Sequence, residues 1–326
     1  MASNELASEE GVPGTIWYLS RLELYRKQKP FMVTFDTSTF EGSKKTNHLY
    51  ESYPTRIVDM RADMGQYKLN LHGFEVCHWD TPLVSNDFDD ENILREKYYP
   101  EIASQLQKHL AGVSTVHVFQ HLRRKTPKGF MEALEKEPDY HQPIIYAHAG
   151  NPTLVPHTSL SNKFSRDIDR NLKEPHFLNI SGAYHINASS DFSTRGAEVQ
   201  IESFFRENEH LRGRRWEIIN AWRVTKGPNN DWPLAVCDAR TVSREDVEQN
   251  DVIHRTHVGE SLRLYHNPKH KWHFLSSQEV TEVVLFRNAS SKELQLPVGF
   301  HSAVTLGPQK FTDLRESIEI RMLCIF

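Results

Sequence analysis

Apolar and polar residues alternate along much of this chain, and a period of two is the signature of half-buried strands. The pattern is clearest in the C-terminal half. Over Arg215–Val224 the residues Trp216, Ile218, Asn220, Trp222 and Val224 fall on one side, because successive strand side chains point to opposite faces. Leu262–Tyr265, Trp272–Leu275, Glu282–Arg287 and Ser317–Ile325 read as strands in the same way. Earlier in the chain the pattern predicts Thr15–Leu19, Phe31–Phe35, Arg56–Met60 and Thr115–Gln120. It also predicts Tyr67–Leu71, after a Met64-Gly65 turn and closed by Gly73-Phe74-Glu75, and a short strand at Ala183–Asn187. Two segments switch to helical spacing. Asp90–Leu110 carries Ile93, Tyr98, Ile102, Leu106 and Leu110 on one face, with Asn86 or Asp87 as N-cap and Gly112 after its end. Thr194–Glu207 gathers Ala197, Ile201, Phe204 and Phe205. Residues 123–178 show neither period, which is expected of a lid, a binding loop or disorder.

Many strands without a βαβ repeat predict a mainly β protein with flanking helices, an α+β jelly roll rather than a doubly wound sheet. Residues 1–14 read as a frayed terminus and 15–326 as one domain with N-terminal strand and helix additions. The apolar (38%), aromatic (10%) and charged (25%) fractions are those of a globular protein with ample core. A formal charge of −4 excludes nucleic acid as the expected partner. No apolar run approaches the ~18 residues of a membrane span, so no membrane role is expected. The acidic, polar stretch Met1–Gly14, unlike a signal peptide, and three widely spaced cysteines, Cys77, Cys237 and Cys324, point to a reduced, cytoplasmic setting.

Chemistry concentrates in two stretches. In Ser181-Gly-Ala-Tyr-His-Ile-Asn-Ala-Ser-Ser-Asp191, His185 and Asn187 would share one face of a strand. A His-x-Asp pair in that geometry supplies two ligands of the 2-His-1-carboxylate triad of non-haem iron, but here the second residue is an amide. In the other stretch, His301 is followed after a Gly-Pro turn by Arg315-Glu-Ser317. The imidazole could ligate a metal, and a guanidinium beside a hydroxyl could grip a carboxylate bidentately. Taken alone, such a pair is more often simply two surface residues.

Several further segments occur in one order over residues 56–326. They are Tyr67-Lys-Leu-Asn-Leu-His-Gly-Phe-Glu75, Asp87-Phe-Asp-Asp-Glu91, Tyr98-Tyr-Pro-Glu101 and Trp222-Arg223, then Asp231-Trp-Pro-Leu-Ala-Val-Cys-Asp-Ala-Arg240, His266-Asn-Pro-Lys-His-Lys-Trp272 and Leu314-Arg-Glu-Ser-Ile-Glu-Ile-Arg321. On these the chain resembles the fungal hydroxylase/desaturase family, typified by gibberellin desaturase and aspergillic acid hydroxylase. The resemblance implies a double-stranded β-helix, cupin-like, with an Fe(II) and 2-oxoglutarate site. It maps the proximal His onto His185, the carboxylate ligand onto Asn187, the distal His onto His301 and the 2-oxoglutarate anchor onto Arg315 beside Ser317.

Asn187 departs from that pattern, since an amide is a poorer ligand than a carboxylate for divalent iron. Asp191 is a nearby substitute only if a loop swings it back. Two expectations follow. The first is a metal-free, cofactor-free pocket catalysing a redox-neutral (hetero-)Diels–Alder cyclisation, as some members resembling this chain do. His185, Asn187, His301 and Arg315 would be its catalytic groups, and Tyr184, Trp222, Phe300 and Ser317 would line the substrate. The second retains Fe(II) and 2-oxoglutarate on His185, His301 and Asn187 or Asp191, for hydroxylation or desaturation. In both, the partner is an apolar, polyketide- or terpene-type small molecule, and a homodimer is compatible with either. The histidines 266, 270 and 273 read better as packing and turn residues than as ligands, while Trp216 and Trp272 could line an apolar cavity or equally be core.

Overall fold

The structure, a computed structural model, describes residues 11–37, 42–127, 143–149, 194–254, 258–292, 297–307 and 313–326. In chain order its strands are β1 Val12–Leu19, β2 Phe31–Val33, β3 Tyr50–Asp59, β4 Phe74–His78, β5 Thr115–Lys125, β6 His148–Ala149 and β7 Trp216–Val224. They continue as β8 Leu234–Cys237, β9 Val247–Ile253, β10 Val258–Leu264, β11 Trp272–Phe274, β12 Glu282–Ser290, β13 His301–Ala303 and β14 Glu316–Ile325. The helices are α1 Leu69–His72, α2 Glu91–Ile93, α3 Tyr99–His109 and α4 Thr194–Glu207.

The strands form two sheets, in the orders β1-β3-β11-β8-β13-β6-β10-β9-β2 and β4-β12-β7-β14-β5. The consecutive run β11-β8-β13-β6 lies over β12-β7-β14-β5, and this is the jelly roll expected of the pattern. Trp222 and Val224 of β7, Val284 and Phe286 of β12 and Leu234 and Val236 of β8 share one buried cluster between the sheets. The opposite face of the five-stranded sheet, carrying Ile219, Ala221, Leu285, Ile318 and Ile320, is covered by Tyr98, Ile102 and Leu106. Helix α4 spans the residues its period predicts, and its Ile201 and Phe205 pack on Trp216, Ile218, Leu323 and Ile325.

Tyr67–Leu71 is not a strand. Leu69–His72 forms one helical turn that Gly73 ends at φ 85, a left-handed conformation costly for any residue with a Cβ. The alternating apolar residues there fit a single turn as well as a strand, and the strand begins afterwards, at Phe74. The predicted helix Asp90–Leu110 is interrupted by a π-helical turn at Leu94–Tyr98. Strand β1 starts at Val12, paired with Ile57, so Val12–Gly14 belongs to a sheet rather than to a frayed terminus. The expected strand Ala183–Asn187 lies outside the described residues.

Candidate active site

The inward row of β14 continues from Arg315 through Ser317, Glu319 and Arg321, because alternate residues share a face. Across the ladder Ser317 opposes Arg124 and Val224, while Arg321 opposes Gln120 and Asn220. Apart from Val224, these side chains are buried yet polar, which is costly unless they are paired or await a ligand. At the deeper end the pairing is explicit. Glu319 accepts from Asn220 Nδ2 at 2.7 Å and from Arg321 Nε at 3.1 Å, and Arg321 donates to Gln120 Oε1 at 2.9 Å.

At the other end it is incomplete. The Arg315 guanidinium donates to the Trp232 carbonyl, and its backbone N–H donates to Asp231 at 2.8 Å. The Trp232 carbonyl is presented from a backbone at φ 43, a strained value for a residue with a large side chain. Arg315 Nε, Ser317 Oγ and Thr126 Oγ1 are buried without a hydrogen-bond partner among the described residues. Thr126 N–H donates to the Arg315 carbonyl at 2.9 Å, so the three donors belong to one corner. Burial, then the Arg124 charge, push the Arg315 guanidinium down to about 9, still a cation at neutral pH. Its carbon lies 5.5 Å from the Trp222 ring centroid, a cation–π contact. A buried, under-satisfied guanidinium beside two hydroxyls suits a carboxylate.

The facing sheet supplies two imidazoles. His301 on β13 lies directly opposite His148 on β6, with ring centroids 4.3 Å apart. Each ring meets the carbonyl two residues before it through Nδ1, His301 with Gly299 at 3.0 Å and His148 with Tyr146 at 2.7 Å. A carbonyl only accepts, so Nδ1 carries the proton in both and Nε2 is left as a lone-pair donor, the arrangement of a metal-ligating histidine. Burial is the largest cause holding both rings neutral. His301 falls to about 4 despite nearby Glu319, and His148 falls well below the usual range, with His301 and Arg263 adding to the effect. Phe286 flanks His301 at 4.3 Å between centroids. Two buried neutral imidazoles and an unsatisfied carboxylate seat fit a divalent iron and a 2-oxo acid.

Of the expected site residues, His301, Arg315, Ser317 and Trp222 all face this interior. Phe300 does not: it lies in the cluster on the other side of β13, with Phe274 and Trp272, because it precedes His301 by one residue on an extended chain. Tyr184, His185, Asn187 and Asp191 lie outside the described residues. His148 is absent from the expected set, because its segment shows no clear period. Its signal is short: Ile145, Ala147 and Ala149 are buried on one side and interleave with Ile144, Tyr146 and His148. His266, His270 and His273 are packing residues. His266 stacks on Tyr53 at 3.7 Å, His270 meets Asp246 at 3.2 Å, and His273 meets the Tyr67 hydroxyl at 3.2 Å.

A family model described as "Oxidoreductase/YMDC permease-like domain" matches residues 16–180 and 183–325, nearly the whole chain. The chain belongs to that family. Its curated relatives are fungal hydroxylases, desaturases and dioxygenases of the Fe(II)/2-oxoglutarate oxygenase-like group. The hydroxylase/desaturase efuI of Hormonema carpetanum is 26% identical over 295 residues, covering 85% of each chain. The alpha-ketoglutarate-dependent dioxygenase tstK of Talaromyces stipitatus is 24% identical, covering 89% of this chain and 91% of its own. The Gibberella fujikuroi gibberellin cluster GA4 desaturase is 26% identical, covering 83% and 86%. Among solved structures, the iron and alpha-ketoglutarate-dependent endoperoxidase NvfI superposes with a TM-score of 0.70 at 19% identity, covering 96% of this chain and 97% of its own. That likeness confirms the jelly roll. No described helix is long and apolar enough to cross a membrane.

Proposed function

We propose that this chain is an iron- and 2-oxo-acid-dependent oxidoreductase of an apolar secondary metabolite. His148 and His301 would hold the metal, and Arg315 with Ser317 would hold the co-substrate's distal carboxylate. The observation that carries the proposal is the His148–His301 pair, two buried imidazoles with Nδ1 anchored and Nε2 free to ligate. When bound, iron and the 2-oxo acid would activate O2, the oxidant for hydroxylation or desaturation of a C–H bond, with the 2-oxo acid itself oxidised to succinate and CO2. The chain's own part is to keep both imidazoles neutral with Nε2 unprotonated, to give the carboxylate a cationic seat under Trp222, and to exclude water with Trp222 and Phe286.

This reading moves the proximal ligand from His185 to His148, whose strand neighbours that of His301. It also changes the carboxylate question. Two residues beyond His148 stands Gly150, which has no side-chain carboxylate. That feature favours a second reading, redox-neutral (hetero-)Diels–Alder-type cyclisation, in which the same imidazoles or Arg315 polarise a carbonyl by hydrogen bonding. Product mass separates the two. Gain of one oxygen or loss of two hydrogens, only with O2 and 2-oxoglutarate present, supports the oxidoreductase. An isomer formed equally well in anaerobic, EDTA-treated protein supports the cyclase and overturns our preference.

A further inference from the structure

Far from this interior, on the outer face of the edge strand β4, three potential metal donors converge. Glu75 and Cys77 lie two residues apart on β4 and so share a face. That face meets the C-terminal end of α3, where His109 is the last helical residue. His109 Nε2 lies 2.7 Å from Glu75 Oε1 and 3.6 Å from Cys77 Sγ, and the three donor atoms all lie within 4.8 Å of one another. We propose that Glu75, Cys77 and His109 bind a divalent metal of the zinc type, in a site that pins β4 to α3 and leaves a coordination position open to solvent. The proposal does not depend on the reading of the interior site.

The geometry distinguishes this arrangement from a hydrogen-bond relay. In a nucleophile–imidazole–carboxylate relay the two partners occupy different ring nitrogens. Here both address Nε2, so replacing its proton with a metal places that metal among all three donors. Tetrahedral zinc with bonds of about 2.0–2.3 Å separates its donors by roughly 3.3–3.8 Å. The observed spacings bracket that range, and small rotations of Glu75 would close it. Thiolate, imidazole and carboxylate together are the donor types zinc accepts.

The Glu75 hydrogen bond is the largest influence on His109 and raises its proton affinity, and burial, then Glu75, push the Cys77 thiol up to about 12. Lys68 is the nearby cation acting on both groups. Thiolate and unprotonated Nε2 are the ligating forms, so metal binding displaces protons and affinity should rise with pH.

Cobalt(II) is the probe, because thiolate ligation gives it an intense near-ultraviolet charge-transfer band. Cys237 and Cys324 are buried elsewhere in the sheets, so the band reports on Cys77. In chelator-treated full-length protein, one equivalent of Co(II) should produce the band, and Zn(II) should bleach it. Cys77→Ser should abolish it, His109→Gln should weaken binding about 100-fold, and His301→Ala should leave it intact. His109 is exposed at the helix end, so His109→Gln tests the site even if a Cys77 variant fails to fold. No band in the wild type, or unchanged Co(II) affinity in His109→Gln, overturns the proposal.

Discussion

His148 and His301 stand opposite each other on neighbouring strands, 4.3 Å between ring centroids, each anchored through Nδ1 to the carbonyl two residues earlier. Two strands that otherwise share little sequence logic thereby place two neutral imidazoles side by side, each with Nε2 unprotonated. If this pair holds iron, His148→Ala and His301→Ala should each weaken Fe(II) binding by about 100-fold or more, as loss of a direct ligand exceeds the 10–100-fold of an outer-shell change. His185→Ala should leave the affinity within a factor of a few. Anaerobic calorimetry on the three variants decides which histidine partners His301.

Arg315 and Ser317 should act on the co-substrate rather than on the metal. Hydrogen bonds to charged groups are worth about 1.5–3 kcal/mol. Arg315→Gln should therefore raise the 2-oxoglutarate Kd by roughly 10- to 100-fold while Fe(II) affinity holds. Ser317→Ala should do the same more mildly. Equal loss of both affinities would mean that Arg315 is a structural residue.

Acid should weaken the fold through its buried imidazoles. His301 has its pKa lowered from 6.5 to about 4, chiefly by burial, so the unfolded chain takes up its proton first as pH falls. Its contribution is present above pH 6.5 and is lost progressively between 6.5 and 4, at about 1.4 kcal/mol per pH unit. His48 and His273, also lowered to about 4 with burial the largest cause, add to the slope. In metal-free protein, chemical denaturation across this window should show stability falling with pH, and His301→Gln should reduce the slope by one histidine's share.

The anchor of His301 is itself crowded. A Cβ on Gly299 would lie 2.8 Å from both the Gly73 carbonyl and Phe286 Cβ, closer than packed atoms tolerate. Gly299→Ala should cost about 1–3 kcal/mol as an overpacking change, read as a lowered Tm. It should also weaken Fe(II) binding, because the displaced carbonyl is the one that orients the imidazole.

How much of this was legible beforehand differs between the scaffold and the site. The jelly roll was readable because its strands are long and alternate cleanly, as in Trp216–Val224 and Glu316–Ile325, and α4 because its apolar stripe is unbroken. The clustering of His301 with Arg315 and Ser317 in one interior was also expected from the sequence, since the two stretches bracket a turn; their roles rest on the proposal above. His148 was not expected. Its strand is two residues long within a segment rich in Pro and His, and its candidacy comes only from lying beside β13, a contact between positions 153 residues apart. Tyr67–Leu71 misled for the reverse reason: five residues of alternating pattern satisfy a strand and a single helical turn alike, and only Gly73 breaks the tie.

The most direct test of the central claim needs no knowledge of the natural substrate: Fe(II)-loaded protein is incubated with 2-oxoglutarate and O2, and succinate is quantified. The account predicts slow succinate formation by the wild type and by His185→Ala, and none above background by His148→Ala or His301→Ala. No succinate from the wild type, or equal amounts from His148→Ala, would contradict it.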